Sequence, residues 1–184
     1  MFGGARAEKQ RIRQEVRLIT ANLTPEYRKE ASRRITRQVL DLPFWKQAGT
    51  VMMYCSLPGE PDTRILMETA LNEGKTLLLP RCLEAGRMEA LPVKDPSKLK
   101  TGTLGIPEPE PADGTAEKSE PDLILVPCMA ATPNGIRLGH GAGYYDRFLA
   151  EHSGKTVCLC FRKLLRSDLP AEDTDISMDL VISD

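Results

Sequence analysis

No stretch of this 184-residue chain approaches the roughly 20 consecutive apolar residues that a bilayer-spanning helix needs, so a membrane protein is not expected. The first residues, MFGGARAEKQ, lack the apolar core of a secretory signal. Neither sign of charge is in real excess. The formal net charge is −1, whereas a nucleic-acid binder needs a basic surplus to neutralise phosphates. Histidine is scarce: only His140 and His152 occur, at no metal-ligand spacing, which speaks against a zinc site. The cysteines cannot form a closed disulfide scaffold. There are five (Cys55, Cys82, Cys128, Cys158 and Cys160), an odd number set mostly in apolar runs. Buried thiols in a reducing compartment fit that pattern, so the protein is expected in the cytoplasm.

What is present is the composition of a globular protein, 41% hydrophobic and 28% charged. The length favours a single domain over residues 1–184. A basic cluster marks the first 40 residues, and the region from Glu108 to Asp122 is acidic. Ile12, Val16 and Ile19 recur at helical spacing, which predicts a helix over about 6–21. Thr24, Pro25 and Glu26 give a second helix a cap, a first residue and a favourable charge, and it should run to about Leu40. A third helix should begin at Thr63 and stop at Gly74. Apolar runs at 50–56, 76–80, 87–93, 122–127, 156–160 and 180–183 read as strands. Residues 92–121 read mostly as loop, with 107–121 compositionally biased. Continuous apolar strands alternating with helices imply an α/β fold, a three-layer α/β/α sandwich around a mostly parallel sheet. Cys158 and Cys160 are expected in the core, and Trp45 in the core or at the domain edge.

The chemistry concentrates in RLGHGAGYYD, Arg137 to Asp146. Alternating glycines let a backbone turn sharply and offer amide N–H groups to a ligand. A following helix, expected over about 143–151, adds free N–H groups and a positive dipole end. Arg137 supplies a guanidinium fork that matches phosphate oxygens. Familiar nucleotide loops fail on spacing. A dinucleotide fingerprint from Gly139 needs glycine where Tyr144 stands, and the two GKT triplets would need glycine at Thr69 or Leu149. Taken alone, the segment is an anion site or a structural turn. Strand-end Arg81 is a further candidate phosphate ligand.

The wider string LILVPCMAATPNGIRLGHGAGYYDRFL resembles the signature region of the 5-formyltetrahydrofolate cyclo-ligase family. Five more landmarks follow the family order: Lys9 with Arg13, YCSLPGEPDT with Glu60, LPRC with Met88, GIPEP, and LPAEDTDISMDLVIS. The resemblance implies a three-layer α/β sandwich. It also implies conversion of 5-formyltetrahydrofolate and ATP to 5,10-methenyltetrahydrofolate, ADP and phosphate, with Mg²⁺. Two positions depart from the family. Ala142 stands where Gly or Lys is common, and Cys55 sits in the serine motif.

Carried over position by position, the resemblance implies ATP contacts from Lys9, Gln10, Arg11, Ile12 and Arg13. It implies more from Arg137, Leu138, Gly139, His140, Gly141, Ala142, Gly143, Tyr144 and Tyr145. Folate contacts are expected from Cys55, Glu60, His140, Gly141, Ala142, Gly143 and Tyr144, and Mg²⁺ ligands at Asp146 and Asp179. Glu60 can accept pterin N–H groups, and Tyr144 can stack on a planar ring. Each has a plainer alternative: a solvated basic face for Lys9 and Arg13, a helix cap for Asp146, a turn residue for Asp179, loop packing for Tyr145. No side-chain nucleophile is expected, because phosphoryl transfer rests on positioning and charge neutralisation. A monomer acting on small molecules is expected, without nucleic-acid or membrane partners. Isomerisation or CoA transfer on a related fold, and a non-catalytic binding module, are the competing readings.

Overall fold

Burial on both faces decides which apolar runs become the central strands. In Leu123-Ile124-Leu125-Val126 no residue is exposed, although neighbours on a strand point to opposite sides. A sheet covered on one face only would leave every second residue wet.

The structure is a computed structural model describing residues 4–102, 105–111 and 120–184. Most of the biased 107–121 stretch lies outside the described residues. Two helices open the chain, α1 (Gly4–Ala21) and α2 (Pro25–Asp41), followed by a short α3 (Pro43–Gln47) that the sequence reading missed. Then come β1 (Thr50–Met52), α4 (Arg64–Asn72), β2 (Thr76–Cys82) and β3 (Met88–Pro92). Two short hairpins, β4 (Lys100–Thr101) with β5 (Pro107–Glu108) and β7 (Ala130–Ala131) with β8 (Arg137–Leu138), flank β6 (Leu123–Pro127). The chain ends in α5 (Tyr144–Leu149), β9 (Lys155–Leu159) and β10 (Leu180–Ile182).

The predicted punctuation holds. Thr24 caps α2 by accepting from the Tyr27 amide, with Pro25 at the first position. Gly74 closes the turn after α4 at φ +73. The run at 50–56 is shorter as a strand than expected. It leaves the ladder after Met53, whose amide still reaches the Leu78 carbonyl, and then turns into a proline-rich loop.

The six-stranded sheet has the order β10-β9-β6-β1-β2-β3. All neighbours are parallel except β2 and β3. Helices cover it, giving the expected three-layer α/β sandwich. Trp45, Cys158 and Cys160 are buried in its core, and the Trp45 indole N–H donates to Glu73 at 3.1 Å. The order reverses at β1, which has β2 on one side and β6 on the other. In such sheets ligands bind beyond the carboxyl ends of the strands at the reversal.

Acidic side chains pin the opposite, amino ends. Asp122 accepts from the Gly49 and Thr50 amides at 2.9 and 2.8 Å, tying the entry of β6 to that of β1. Replacing Asp122 with Ala is expected to cost roughly 1–3 kcal/mol in urea unfolding, since two amide bonds to a charged acceptor are lost.

Candidate active site

A cleft of about 930 Å³ opens at the carboxyl ends of β1, β2 and β6, where Tyr54, Cys55, Pro80, Cys82 and Pro127 line it. Its other walls come from α1, the glycine loop and the loop at 172–175. Its size suits a small-molecule site.

The glycine loop grows from the β7–β8 hairpin. Arg137 sits in β8 with its side chain only 5% exposed, and its guanidinium donates to Asp146 Oδ1 at 2.7 Å. The Tyr145 ring packs 5.8 Å from the same guanidinium. This ion pair spans nine residues of chain and fixes the loop's two ends together. Gly141 has φ +103, and a Cβ there would lie 3.2 Å from the Arg13 guanidinium carbon. Only glycine adopts that backbone cheaply while letting a guanidinium lie against it. Arg147 braces the loop from outside, donating to the Gly86 carbonyl at 2.9 and 2.6 Å and to the Ala142 carbonyl. Helix α5 starts one residue after Gly143 and is shorter than expected.

Helix α1 sends two of its predicted residues to the cleft. Arg13 Nε donates to the Gly139 carbonyl at 2.8 Å. Lys9 donates to Glu172 and Asp175, both at 2.6 Å, with its side chain 7% exposed. Burial pulls the Lys9 ammonium down, but the hydrogen bonds to Asp175 and Glu172 outweigh it and raise it above its ordinary value. The intervening residues do not reach the cleft. Arg11 turns outward to Glu8 and Glu15, Ile12 enters the core, and Gln10 is exposed. Helical periodicity explains this correction: positions four apart share a face, and those between them do not.

Two more expectations fail on placement. Asp179 lies at the wrong end of the sheet. It accepts from Lys155 Nζ and from the Thr156 amide and hydroxyl, at the entry of β9, and itself precedes β10. The cleft lies past the other end of a strand of five residues, roughly 13 Å of chain or more away. Burial would raise the Asp179 carboxyl, yet the Thr156 and Lys155 contacts hold it below its usual value. Arg81 pairs with Glu89 across the β2–β3 ladder at 3.1 Å and does not line the cleft.

The residue that takes the place expected for Asp179 is Asp175. It lies in the cleft wall, and the amide of the next residue, Ile176, points to Asp146 Oδ1 at 3.4 Å. The Asp175 segment thus meets Asp146 through the Ile176 amide, and both acids line the cleft. Glu60 also reaches the site. It accepts from the Leu57 amide at 2.9 Å and stands 3.4 Å from His140 of the glycine loop. Cys55 and Tyr144 line the same cleft. Burial pushes the Cys55 thiol up to about 11, so it is a neutral wall residue.

Among the described residues, three buried side-chain polar atoms have no hydrogen-bond partner: Arg137 Nε, Tyr145 Oη and Glu108 Oε1. All three residues line this one cleft. Buried polar atoms are nearly always paired, so their convergence marks a surface shaped for a ligand. Glu172, Asp175, Arg147 and Glu108 were missed in the sequence. A residue entering a parallel strand sits at its amino end, away from a site at the carboxyl ends, which is where Asp179 lies.

The model of the 5-formyltetrahydrofolate cyclo-ligase family matches residues 5–184. A probable 5-formyltetrahydrofolate cyclo-ligase of Caenorhabditis elegans is 28% identical, over 95% of this chain and 91% of its own. The 5-formyltetrahydrofolate cyclo-ligase of Mycolicibacterium smegmatis is 34% identical over 73% of each. The solved 5,10-methenyltetrahydrofolate synthetase of Aquifex aeolicus superposes with TM-score 0.80 at 32% identity, covering 94% of this chain and 88% of that one. With its loop, its cleft and these relatives, the chain belongs to the 5-formyltetrahydrofolate cyclo-ligase family.

Proposed function

We propose that the cleft binds 5-formyltetrahydrofolate beside ATP and Mg²⁺ and releases 5,10-methenyltetrahydrofolate, ADP and phosphate. The observation that carries this reading is the convergence of Lys9, Arg13 and Arg137 with the glycine loop on one cleft in a chain of this family. Three cations and a run of backbone amides suit a triphosphate.

The reaction needs no protein nucleophile. The formyl oxygen attacks the γ-phosphorus of ATP, the bond to the β,γ-bridging oxygen breaks, and ADP leaves. N10 then attacks the activated formyl carbon, the carbon–oxygen bond breaks, phosphate departs and N10 loses its proton. The protein aligns formyl oxygen and γ-phosphorus and neutralises charge on the transferred group. Arg13 and Arg137 serve the phosphates. Lys9 holds Glu172 and Asp175 until nucleotide arrives. Glu60, His140, Tyr144 and Cys55 face the folate.

The donor set fits Mg²⁺. Among the described residues no three metal-ligating side chains converge. Mg²⁺ is typically held by one or two carboxylates, substrate phosphates and waters, and Asp146 with Asp175 supplies that number. When bound, the cation would neutralise phosphate charge. The setting we infer is a cytoplasmic monomer with small-molecule substrates. Five free cysteines, a net charge of −1 and no helix among the described residues long and apolar enough to cross a membrane support the compartment and the absence of nucleic-acid and membrane partners, not the monomeric state.

Mixing the protein with 5-formyltetrahydrofolate, ATP and Mg²⁺ should produce methenyltetrahydrofolate absorbance, with one ADP per product. Absence of product with every divalent cation tried would refute the reading. Asp175→Asn should raise the Mg²⁺ concentration for half-maximal rate by roughly tenfold or more. Asp179→Asn should lower the melting temperature and leave that concentration unchanged within about twofold, because its contacts lie at the other end of the sheet.

A further inference from the structure

Glu108 has no part in the scheme above, yet it is the strangest side chain in the cleft. It sits in the β4–β5 hairpin, opposite Lys100, and is 8% exposed. Its Oε1 has no hydrogen-bond partner among the described residues. A buried carboxylate oxygen without a donor costs free energy, and a fold tolerates it where something else supplies the donor. The surroundings hold the carboxylate in place. Gly102 leaves room for it: a Cβ there would fall 2.3 Å from Glu108 Cδ and 2.4 Å from Oε2. The Gly102 amide closes the hairpin onto the Ile106 carbonyl at 2.8 Å.

Glu108 lines the cleft with Cys55 at the end of β1, Cys82 at the end of β2, and Met88. Burial pushes both thiols up to about 11, and the Glu108 carboxylate adds to each shift. Neutral thiols and a thioether make this end of the cleft weakly polar, apart from one acceptor. The phosphate end, by contrast, is built of Lys9, Arg13 and Arg137. Glu60, the carboxylate first expected to meet the folate ring, is already engaged by the Leu57 amide and His140.

We propose that Glu108 is a specificity-determining contact for the folate ring, its Oε1 accepting an N–H from the amino-bearing, donor-rich edge of the reduced pterin. The inference rests on reading the cleft as a folate site. A pterin offers adjacent N–H donors on a flat apolar body, which matches a single carboxylate in a weakly polar wall. A ring lacking that donor edge leaves the buried oxygen unpaired and is rejected.

The test is steady-state kinetics on the full-length protein with Glu108→Met and Glu108→Gln, varying 5-formyltetrahydrofolate and ATP separately, together with melting temperatures. Glu108→Met should raise the KM for 5-formyltetrahydrofolate by roughly tenfold or more, the scale of one hydrogen bond to a charged acceptor. The KM for ATP should stay within about twofold, and the melting temperature should rise, because a buried carboxylate oxygen without a donor is gone. Glu108→Gln, which keeps the shape, should shift the folate KM in the same direction without loss of fold. An unchanged folate KM in both variants, or equal rises for folate and ATP, would overturn the proposal. So would a fall in melting temperature and kcat with neither KM moved, the signature of a structural role. If the wild-type protein forms no methenyl product, the folate reading falls and this inference falls with it. If wild type turns over and the variants match it, only this inference is lost.

Discussion

Lys9 is a lysine on the first helix whose ammonium is buried between two acids, Glu172 and Asp175, more than 160 residues further on. Removing a charge from water is costly, so the buried ammonium depends on these two acids to offset its desolvation. The pair therefore fixes α1 against the loop before β10. That docking carries Arg13, one turn later, onto the Gly139 carbonyl and against Gly141. It also brings the chain next to Asp175 against Asp146, through the Ile176 amide. Without Lys9 the cleft would lose a wall and Arg13 would lose the docking that sets it on the glycine loop.

The same contacts describe a site whose charges are paired within the protein. Arg137 is held by Asp146 and Lys9 by Asp175 and Glu172, whereas among the described residues Arg13 bonds only to a carbonyl. In the proposed reaction a triphosphate would compete with Asp146 for Arg137 and with Asp175 for Lys9. A divalent cation would then satisfy the released carboxylates. Exchange of partners of this kind makes nucleotide and cation mutually dependent, because each leaves the other's groups uncompensated. Ala142 brings no charge of its own. Arg147 stands against its carbonyl and against Gly143, so a guanidinium lies near the loop in any case.

Much of this was legible in the sequence because local rules decide it. Thr24 and Pro25 mark the start of α2, the apolar run DLILVP marks β6, and alternating glycines mark the loop. The landmarks then identified the family. Long-range placement was harder to read. The spacing of Lys9 and Arg13 gave their shared face, but treating 9–13 as a continuous contact segment ignored helix periodicity and misassigned Gln10, Arg11 and Ile12. Choosing among the three acids of EDTDISMD nearest β10 required knowing which end of the sheet faces the cleft, which pairing alone reveals. Glu108 lies inside the GIPEP landmark, but neither it nor Arg147 carried a signal of its role. Their importance lies in what they touch, or fail to touch, across the fold.

Asp146 holds Arg137, and in the proposed reaction it would hold the cation once nucleotide takes that arginine. Calorimetric titration of ATP with and without Mg²⁺, comparing wild type with Asp146→Asn, tests it directly. Wild type should bind ATP at least about tenfold more tightly with Mg²⁺, the change expected when a metal joins phosphate to carboxylate. The variant should bind metal-free ATP as tightly as wild type or more so, since Arg137 is released, and should gain little from Mg²⁺. A variant that retains the full Mg²⁺ enhancement would contradict the account.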